Sequence, residues 1–211
     1  MQADSRLDHI VVAASTLDAG LAWTEEKLGV ALPQAGGQHP LMGTHNRVMR
    51  LGEASFLEVI APDPEAPDPG RARWFGLDSP PDTPRLAHWL VRVPGLVTRR
   101  DTLPLTCGPA LAQQRGDLRW KITVPEDGHL PFGGVFPSFL DWECDEGAIP
   151  PRAMPGGDLT LTALELSHPR AAQAEALLAP ILRDNRVRWT VSDAPALTAR
   201  LTGPSGEVVL G

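Results

Sequence analysis

The chain has 211 residues, a formal net charge of −7, 42% hydrophobic and 21% charged residues, ordinary values for a globular protein long enough to bury a substantial core. The acidic balance argues against a nucleic-acid footprint. No apolar run approaches the roughly 18 residues that span a membrane, and residues 1–6 lack the apolar core of a signal peptide. Two cysteines, Cys107 and Cys144, make no disulfide framework, so a cytoplasmic location is expected.

Residues 6–14 are apolar and β-branched and predict a buried strand. Ser15 or Thr16 can cap a following helix through a side-chain oxygen. Leu17, Leu21 and Leu28 give that helix an apolar stripe, and Gly29 is a left-handed stop. After Gly36-Gly37 come two strand-like runs, residues 47–51 and 55–60. Residues 61–84 carry seven prolines in 24 positions, which disfavours helix and central strand. Trp74 and Phe75 within that stretch predict a segment packed back on the body.

A second set begins at Arg85, with a strand over 88–93, a helix over 95–103, and strands over 118–124 and 139–144. The Gly- and Pro-rich stretch 128–137 predicts a loop at the mouth of a cavity. After a further break at 149–157 the pattern predicts a strand over 159–166 and a helix over 169–182, with Pro169 in its first turn. Strand-like runs over 186–191, 196–202 and 207–210 close the chain. The last two flank the turn Gly203-Pro204-Ser205-Gly206.

These elements repeat. Leu7-Asp8-His9-Ile10-Val11-Val12 returns 79 positions later as Leu86-Ala87-His88-Trp89-Leu90-Val91. Phe56-Leu57-Glu58-Val59-Ile60 returns 83 positions later as Phe139-Leu140-Asp141-Trp142-Glu143. Internal duplication fixes an architecture. The expectation is an α+β fold with two tandem units, residues 1–62 and 85–147, the first of them a strand, a helix and then two or three strands. A Pro-rich connector, 63–84, joins them, and a third, partial βαββ unit, 148–211, completes the sheet. Aligning Leu161-Thr162-Ala163 with Leu7-Asp8-His9 puts Ala163 at the histidine place.

His9, Glu58, His88 and Asp141 form the candidate constellation. Imidazole nitrogen and carboxylate oxygen suit a divalent ion such as Zn, Ni, Co, Fe or Mn. A carboxylate inside Phe56-Leu57-Glu58-Val59-Ile60 is costly to bury unless a metal or partner compensates it. The plainer reading is hydrogen-bonded core histidines and solvent-facing carboxylates. Thr44, His45 and Asn46 can offer a donor and acceptors to a carbonyl or carboxylate substrate, or merely bond a local turn. Trp120, Trp142 and Phe136 can wall an apolar pocket, or serve as plain core. Arg119 or Lys121 can meet an anionic substrate, or face water. His39 reads as a loop histidine, and His129 and His168 need no function. Acidic neighbours disfavour a thiolate at Cys144.

The chain resembles the vicinal oxygen chelate superfamily of glyoxalases, bleomycin-resistance proteins and extradiol dioxygenases, in its glyoxalase-like branch of bacterial proteins. The opening strand with its helix, Gly43-Thr44-His45-Asn46 and Phe56-Leu57-Glu58-Val59-Ile60-Ala61-Pro62 carry the resemblance. Leu118-Arg119-Trp120-Lys121 and Phe139-Leu140-Asp141-Trp142 extend it. It implies tandem βαβββ modules, residues 1–62 and 85–147, forming curved mixed sheets around a cleft, with metal ligands on the first and last strand of each. His9 and Glu58 fit the first pair, and His88 and Asp141 occupy the second. Asp141 is one methylene shorter than the glutamate common there, and Glu143 could replace it only by a register change. No histidine lies between Gln113 and Val124, so extradiol dioxygenase activity is not expected.

The leading expectation is a metal-dependent glyoxalase-like lyase or isomerase acting on a small oxygenated substrate through an enediolate-type anion. Glu58 and Asp141 would be its catalytic carboxylates, and Thr44, His45, Asn46, Trp120 and Trp142 its substrate contacts. The alternative is a non-catalytic protein that sequesters a small molecule, with His9 and Glu58 paired to each other and no metal. A third reading is a protein that kept the fold and lost the site. A small molecule is the expected partner, with no nucleic acid and no membrane. A homodimer is compatible with the cleft but not needed to build it.

Overall fold

A buried strand, β1 (Arg6–Ala13), opens the computed structural model, which describes residues 5–211. The Thr16 hydroxyl caps α1 (Leu17–Leu28) by accepting the Ala19 N–H at 3.2 Å. Gly29 ends the helix at φ 67°, and its N–H reaches the Glu25 carbonyl; a side chain there would be strained. β2 (Gly36–His39), β3 (Thr44–Leu51) and β4 (Ser55–Pro62) complete the first βαβββ module.

β5 (Arg85–Arg92), β6 (Ala110–Arg115), β7 (Leu118–Thr123) and β8 (Ser138–Trp142) form the second. The helix expected over 95–103 does not form. Prolines 94 and 104 bound the segment, Gly95 sits at φ 70°, and only a 3-10 turn, Arg100–Thr102, remains. Asp141 fixes that shape, its Oδ2 accepting the N–H groups of Gly95 at 2.9 Å and Leu96 at 3.3 Å.

The eight strands make one sheet in the order β2-β3-β4-β1-β5-β8-β7-β6. β1 runs parallel to β4, and β5 parallel to β8, while β1 and β5 meet antiparallel in the middle. A local twofold at the β1–β5 pair therefore relates the modules, as the repeat predicts. The sheet curls until its two edges approach. Arg115 at the end of β6 donates from Nη1 to Asn46 Oδ1 on β3 at 3.3 Å. A Cβ on Gly37 of β2 would lie 3.1 Å from Arg115 Cδ.

The rest of the chain holds α2 (Pro150–Ala153), β9 (Thr160–Ser167), α3 (Ala171–Leu178), β10 (Val187–Thr190), β11 (Ala196–Gly203) and β12 (Gly206–Leu210). From β9 onward it has a full βαβββ order rather than a partial one. It does not extend the first sheet but forms its own, β10-β9-β11-β12. That second sheet shares a core with α1 and the outer face of the first, where Ile10, Val12, Val59 and Trp89 cluster with Leu164, Leu166, Ala199 and Leu201. A second core fills the inside of the curl, with Val11, Val48, Ile60, Leu90, Ile122 and Leu140. Covering on both faces explains why β1, β4 and β5 read as continuous apolar runs. Among the described residues no helix is long and apolar enough to cross a membrane.

Gly20 marks the closest approach of α1 to the sheet: a Cβ there would sit 2.7 Å from Val59 Cγ1 and 2.9 Å from Ala14 Cβ. Helix propensity alone favours alanine over glycine by about 1 kcal/mol, whereas overpacking a tight contact costs about 1–3 kcal/mol. Gly20→Ala is expected to lower stability, read as an earlier urea midpoint. A later midpoint would show that the helix has room to move.

Candidate functional site: a buried ion chain inside the curl

Asp8, His9 and Glu58 lie inside the fold at 2%, 5% and 5% exposure. They form the middle of a continuous polar chain. Trp142 Nε1 donates to Asp8 Oδ2 at 3.0 Å. Asp8 Oδ1 is 2.8 Å from His9 Nδ1, and His9 Nε2 is 3.5 Å from Glu58 Oε2. Asn46 Nδ2 donates to Glu58 Oε1 at 2.6 Å. Asn46 Oδ1 accepts in turn from the Gly37 N–H at 3.0 Å and from Arg115 Nη1. The His9 ring stacks on Phe56 with centroids 4.1 Å apart.

An imidazole between two carboxylates has an acceptor opposite each nitrogen. Burial pulls the His9 pKa down, but the bonds and charges of Asp8 and Glu58 outweigh it and push it up to about 9. Burial pushes Glu58 up, and His9 outweighs that too, holding the carboxyl below its usual range. The pair is imidazolium and carboxylate at neutral pH. His39 on β2 is the opposite case: burial pushes it down to about 4, so it is neutral. Its Nδ1 is 3.2 Å from Thr44 Oγ1, and its ring meets Trp74 and Trp120 edge-on at 5.1 and 6.1 Å.

His9, His39, Asn46 and Glu58 border a small cavity, of about 40 Å³, walled by Phe56, Trp74, Phe75, Trp120 and Trp142. Trp74 and Phe75 come from the Pro-rich connector, which packs back as expected and buries both rings. Phe75 takes a left-handed φ of 58°, which costs an L-residue about 1–2 kcal/mol. Its neighbours hold the segment: Gly76 N–H reaches the Gly128 carbonyl at 2.8 Å, and Arg73 Nε the Gly43 carbonyl at 3.1 Å.

The four expected metal ligands are not brought together. His88 is fully buried. Its Nε2 accepts the Ser138 N–H at 3.1 Å and lies 3.0 Å from Ser138 Oγ, while Nδ1 faces the Gly134 carbonyl at 3.1 Å. Burial pushes it down to about 4, so it is a neutral, fully engaged core histidine. Asp141 lies between Leu140 and Trp142, which both line the cavity. Side-chain alternation turns it to the other face, where it caps the Gly95 turn and burial raises its pKa.

The register explains the difference. Val11 pairs with Glu58, and its counterpart Leu90 pairs with Ser138. The structural equivalent of Glu58 is therefore Ser138, three residues before Asp141. His88 and Ser138 repeat the His9–Glu58 contact with a hydroxyl in place of the carboxylate.

A divalent ion at this site does not fit the donors as they stand. His9 has a carboxylate at each nitrogen and would have to lose its proton and turn from Glu58 to hold an ion; of the other donors at the cavity, Glu58 is engaged by His9 and Asn46, and His39 faces Thr44 through Nδ1. Among the described residues no group of three or more His, Cys, Asp or Glu side chains is placed to hold a metal ion.

Of the expected substrate contacts, Asn46, Trp120 and Trp142 line the cavity. Thr44 orients His39 instead, and His45 stays outside the lining, with a buried Nε2 that has no partner. Sequence reasoning missed His39, Arg115, Trp74 and Phe75 as cavity residues, and Asp8 as the partner behind His9. The adjacency of Asp8 to His9 was a usable signal for the last. Lys121, the expected alternative anion contact, is paired with Glu143.

The chain belongs to the glyoxalase-like domain family, whose model matches residues 7–182. Its fold is that of the vicinal oxygen chelate superfamily. Among solved structures, a hypothetical protein from Staphylococcus aureus matches 92% of this chain and 88% of its own at a TM-score of 0.60 and 11% identity. Methylmalonyl-CoA epimerase from Mycobacterium tuberculosis matches 67% of this chain and 89% of its own, at 0.42 and 21%. A Streptomyces coelicolor methylmalonyl-CoA epimerase variant in complex with 2-nitronate-propionyl-CoA matches 67% and 97%, at 0.44 and 16%. No curated protein matches the sequence.

The histidines make stability depend on pH with opposite signs. His9 holds its proton from its ordinary 6.5 up to about 9, so its contribution is complete below 6.5 and is lost as pH rises through 9. His39 and His88 stay neutral down to about 4. Only the unfolded chain takes up their protons between 6.5 and 4, so they favour unfolding as pH falls through that window. In thermal melts, His88→Gln is expected to flatten the acid limb and His9→Gln the alkaline limb. The same alkaline slope in wild type and His9→Gln would show that His9 is not the charged centre of the chain.

Proposed function

We propose that the cleft binds a compact, largely aromatic or aliphatic molecule by an oxygen-bearing end, and does so without a metal. The observation that supports this most is the state of His9. Both its nitrogens face carboxylates, yet the Nε2–Glu58 separation of 3.5 Å is well beyond the roughly 2.7–2.9 Å of a strong charge-assisted bond. The Nε2 proton is thus poised for a ligand oxygen that enters beside Glu58. The aromatic walls exclude water and strengthen any bond made there. The reading is therefore of a binding protein of the bleomycin-resistance kind. A metal-dependent glyoxalase-type enzyme would need a third ligand that the described residues do not supply.

The three tryptophans of the wall, Trp74, Trp120 and Trp142, report occupancy directly. Protein from cells grown with Zn, Ni, Co, Fe and Mn is expected to carry far less than one metal per chain by elemental analysis. Titration with a neutral aromatic amide such as phenylacetamide is expected to change its tryptophan emission saturably. One metal per chain, lost in Glu58→Gln with the fold retained, would overturn the reading in favour of a metal-dependent enzyme.

A further inference from the structure

Among the described residues, no carboxylate is paired with Arg115, a cation of the cleft. It is the last residue of β6 and reaches across the seam between the two sheet edges, over Gly37, whose missing side chain leaves it room. Its single hydrogen bond, at 3.3 Å, runs from Nη1 to Asn46 Oδ1, an oxygen that already accepts the Gly37 N–H. Among the described residues it has no acidic partner, unlike Arg73, Arg186 and Arg200, which are each paired with an aspartate or glutamate. Glu58, the carboxylate of the same cavity, is taken by His9 and Asn46. A guanidinium presents five N–H donors in a planar fork that matches a carboxylate. Most of those donors are unused here.

We propose that the ligand of this cleft is a small monocarboxylate on an apolar or aromatic body, and that Arg115 is the residue that selects for its charge. The inference rests on the reading of the cleft as a ligand site and adds the sign of the ligand. The carboxylate would sit at the seam against the Arg115 fork, in place of the 3.3 Å bond from Arg115 to Asn46 Oδ1, with its body against Trp120 and Trp74. Neutral His39 brings no competing charge, and the charges of His9 and Glu58 offset each other. A cationic ligand would meet the uncompensated charge of Arg115.

The test is calorimetric titration at neutral pH with three probes of one shape: phenylacetate, phenylacetamide and phenethylammonium. Wild type is expected to bind phenylacetate at least about tenfold more tightly than the amide, and the ammonium least, as one charge-assisted bond is worth roughly 10- to 100-fold in affinity. Arg115→Gln, which keeps a donor for Asn46, is expected to remove the preference for the anion, weakening phenylacetate at least about tenfold more than the amide. Arg115→Lys is expected to restore part of it, and Arg119→Gln, on the exposed face of β7, to change nothing. Amide binding without preference for phenylacetate, or equal loss of both in Arg115→Gln, would overturn the role of Arg115 and leave the cleft a ligand site. If none of the three probes binds and the tryptophan emission does not respond, the reading of the cleft falls, and the charge selection with it.

Discussion

Asp8 and Glu58 are two carboxylates that almost no water reaches, and His9 between them is what makes that arrangement tolerable. Each buried ion carries a desolvation penalty of several kcal/mol, which attraction offsets only where geometry is good and the remaining lone pairs find donors. Here they do: Trp142 serves the far oxygen of Asp8, and Asn46 the far oxygen of Glu58. The chain so formed runs from β8 through β1 and β4 to β3, then through Arg115 to β6. It therefore ties both modules, and both edges of the sheet, to one charged centre. The bonds that floor the cleft also bridge the edges of the curled sheet.

The duplication shows how one half of the fold became ionic and the other did not. At the β1–β5 twofold, His88 occupies the place of His9 and Ser138 that of Glu58. Asn46 pairs with Ile60, and Ile122 pairs with Leu140, so Ile122 stands where Asn46 does. A carboxylate and an amide are replaced by a hydroxyl and a hydrocarbon, and the histidine loses its proton with them. The second copy is packing, and Phe75 stands 5.3 Å from its ring, between that histidine and the cavity. The C-terminal sheet, with Ala163 on its first strand, covers the outer face of the first sheet, and its order β10-β9-β11-β12 departs from the β2-β3-β4-β1 order of the first module. The ionic floor of the cleft comes from the first module, while the second contributes Arg115, Trp120 and Trp142 to its lining. A glyoxalase-like fold therefore says less about chemistry than the residues at one pair of strands.

Much of this was legible in the chain itself. A glutamate in the middle of Phe-Leu-Glu-Val-Ile and a histidine in Leu-Asp-His-Ile are conspicuous because apolar strands rarely hold charge without a partner, and the two do meet. The opening strand, the helix and the strands β3 and β4 of the first module followed from periodicity and from signals such as Thr16 and Gly29, whose effects are local; β2 did not. Asp141 was misplaced because the Phe-Leu-acid echo is three residues out of step with the parallel pairing of β5 and β8. Side chains alternate along a strand, so such an odd shift moves a residue to the opposite face.

The sequence by itself thus determined the strands, the first helix, the duplication and the charged pair, all set by propensities and contacts within one module. Only the tertiary structure decided which charges face the cleft and which of the two histidines is ionised. It also brought His39 and Arg115 to the same cavity as Glu58. β2 and β6 are short, polar edge strands with nothing in their pattern to mark them. They become neighbours because an eight-stranded sheet that buries both faces of its central strands curls until its ends meet, a constraint that no single segment carries.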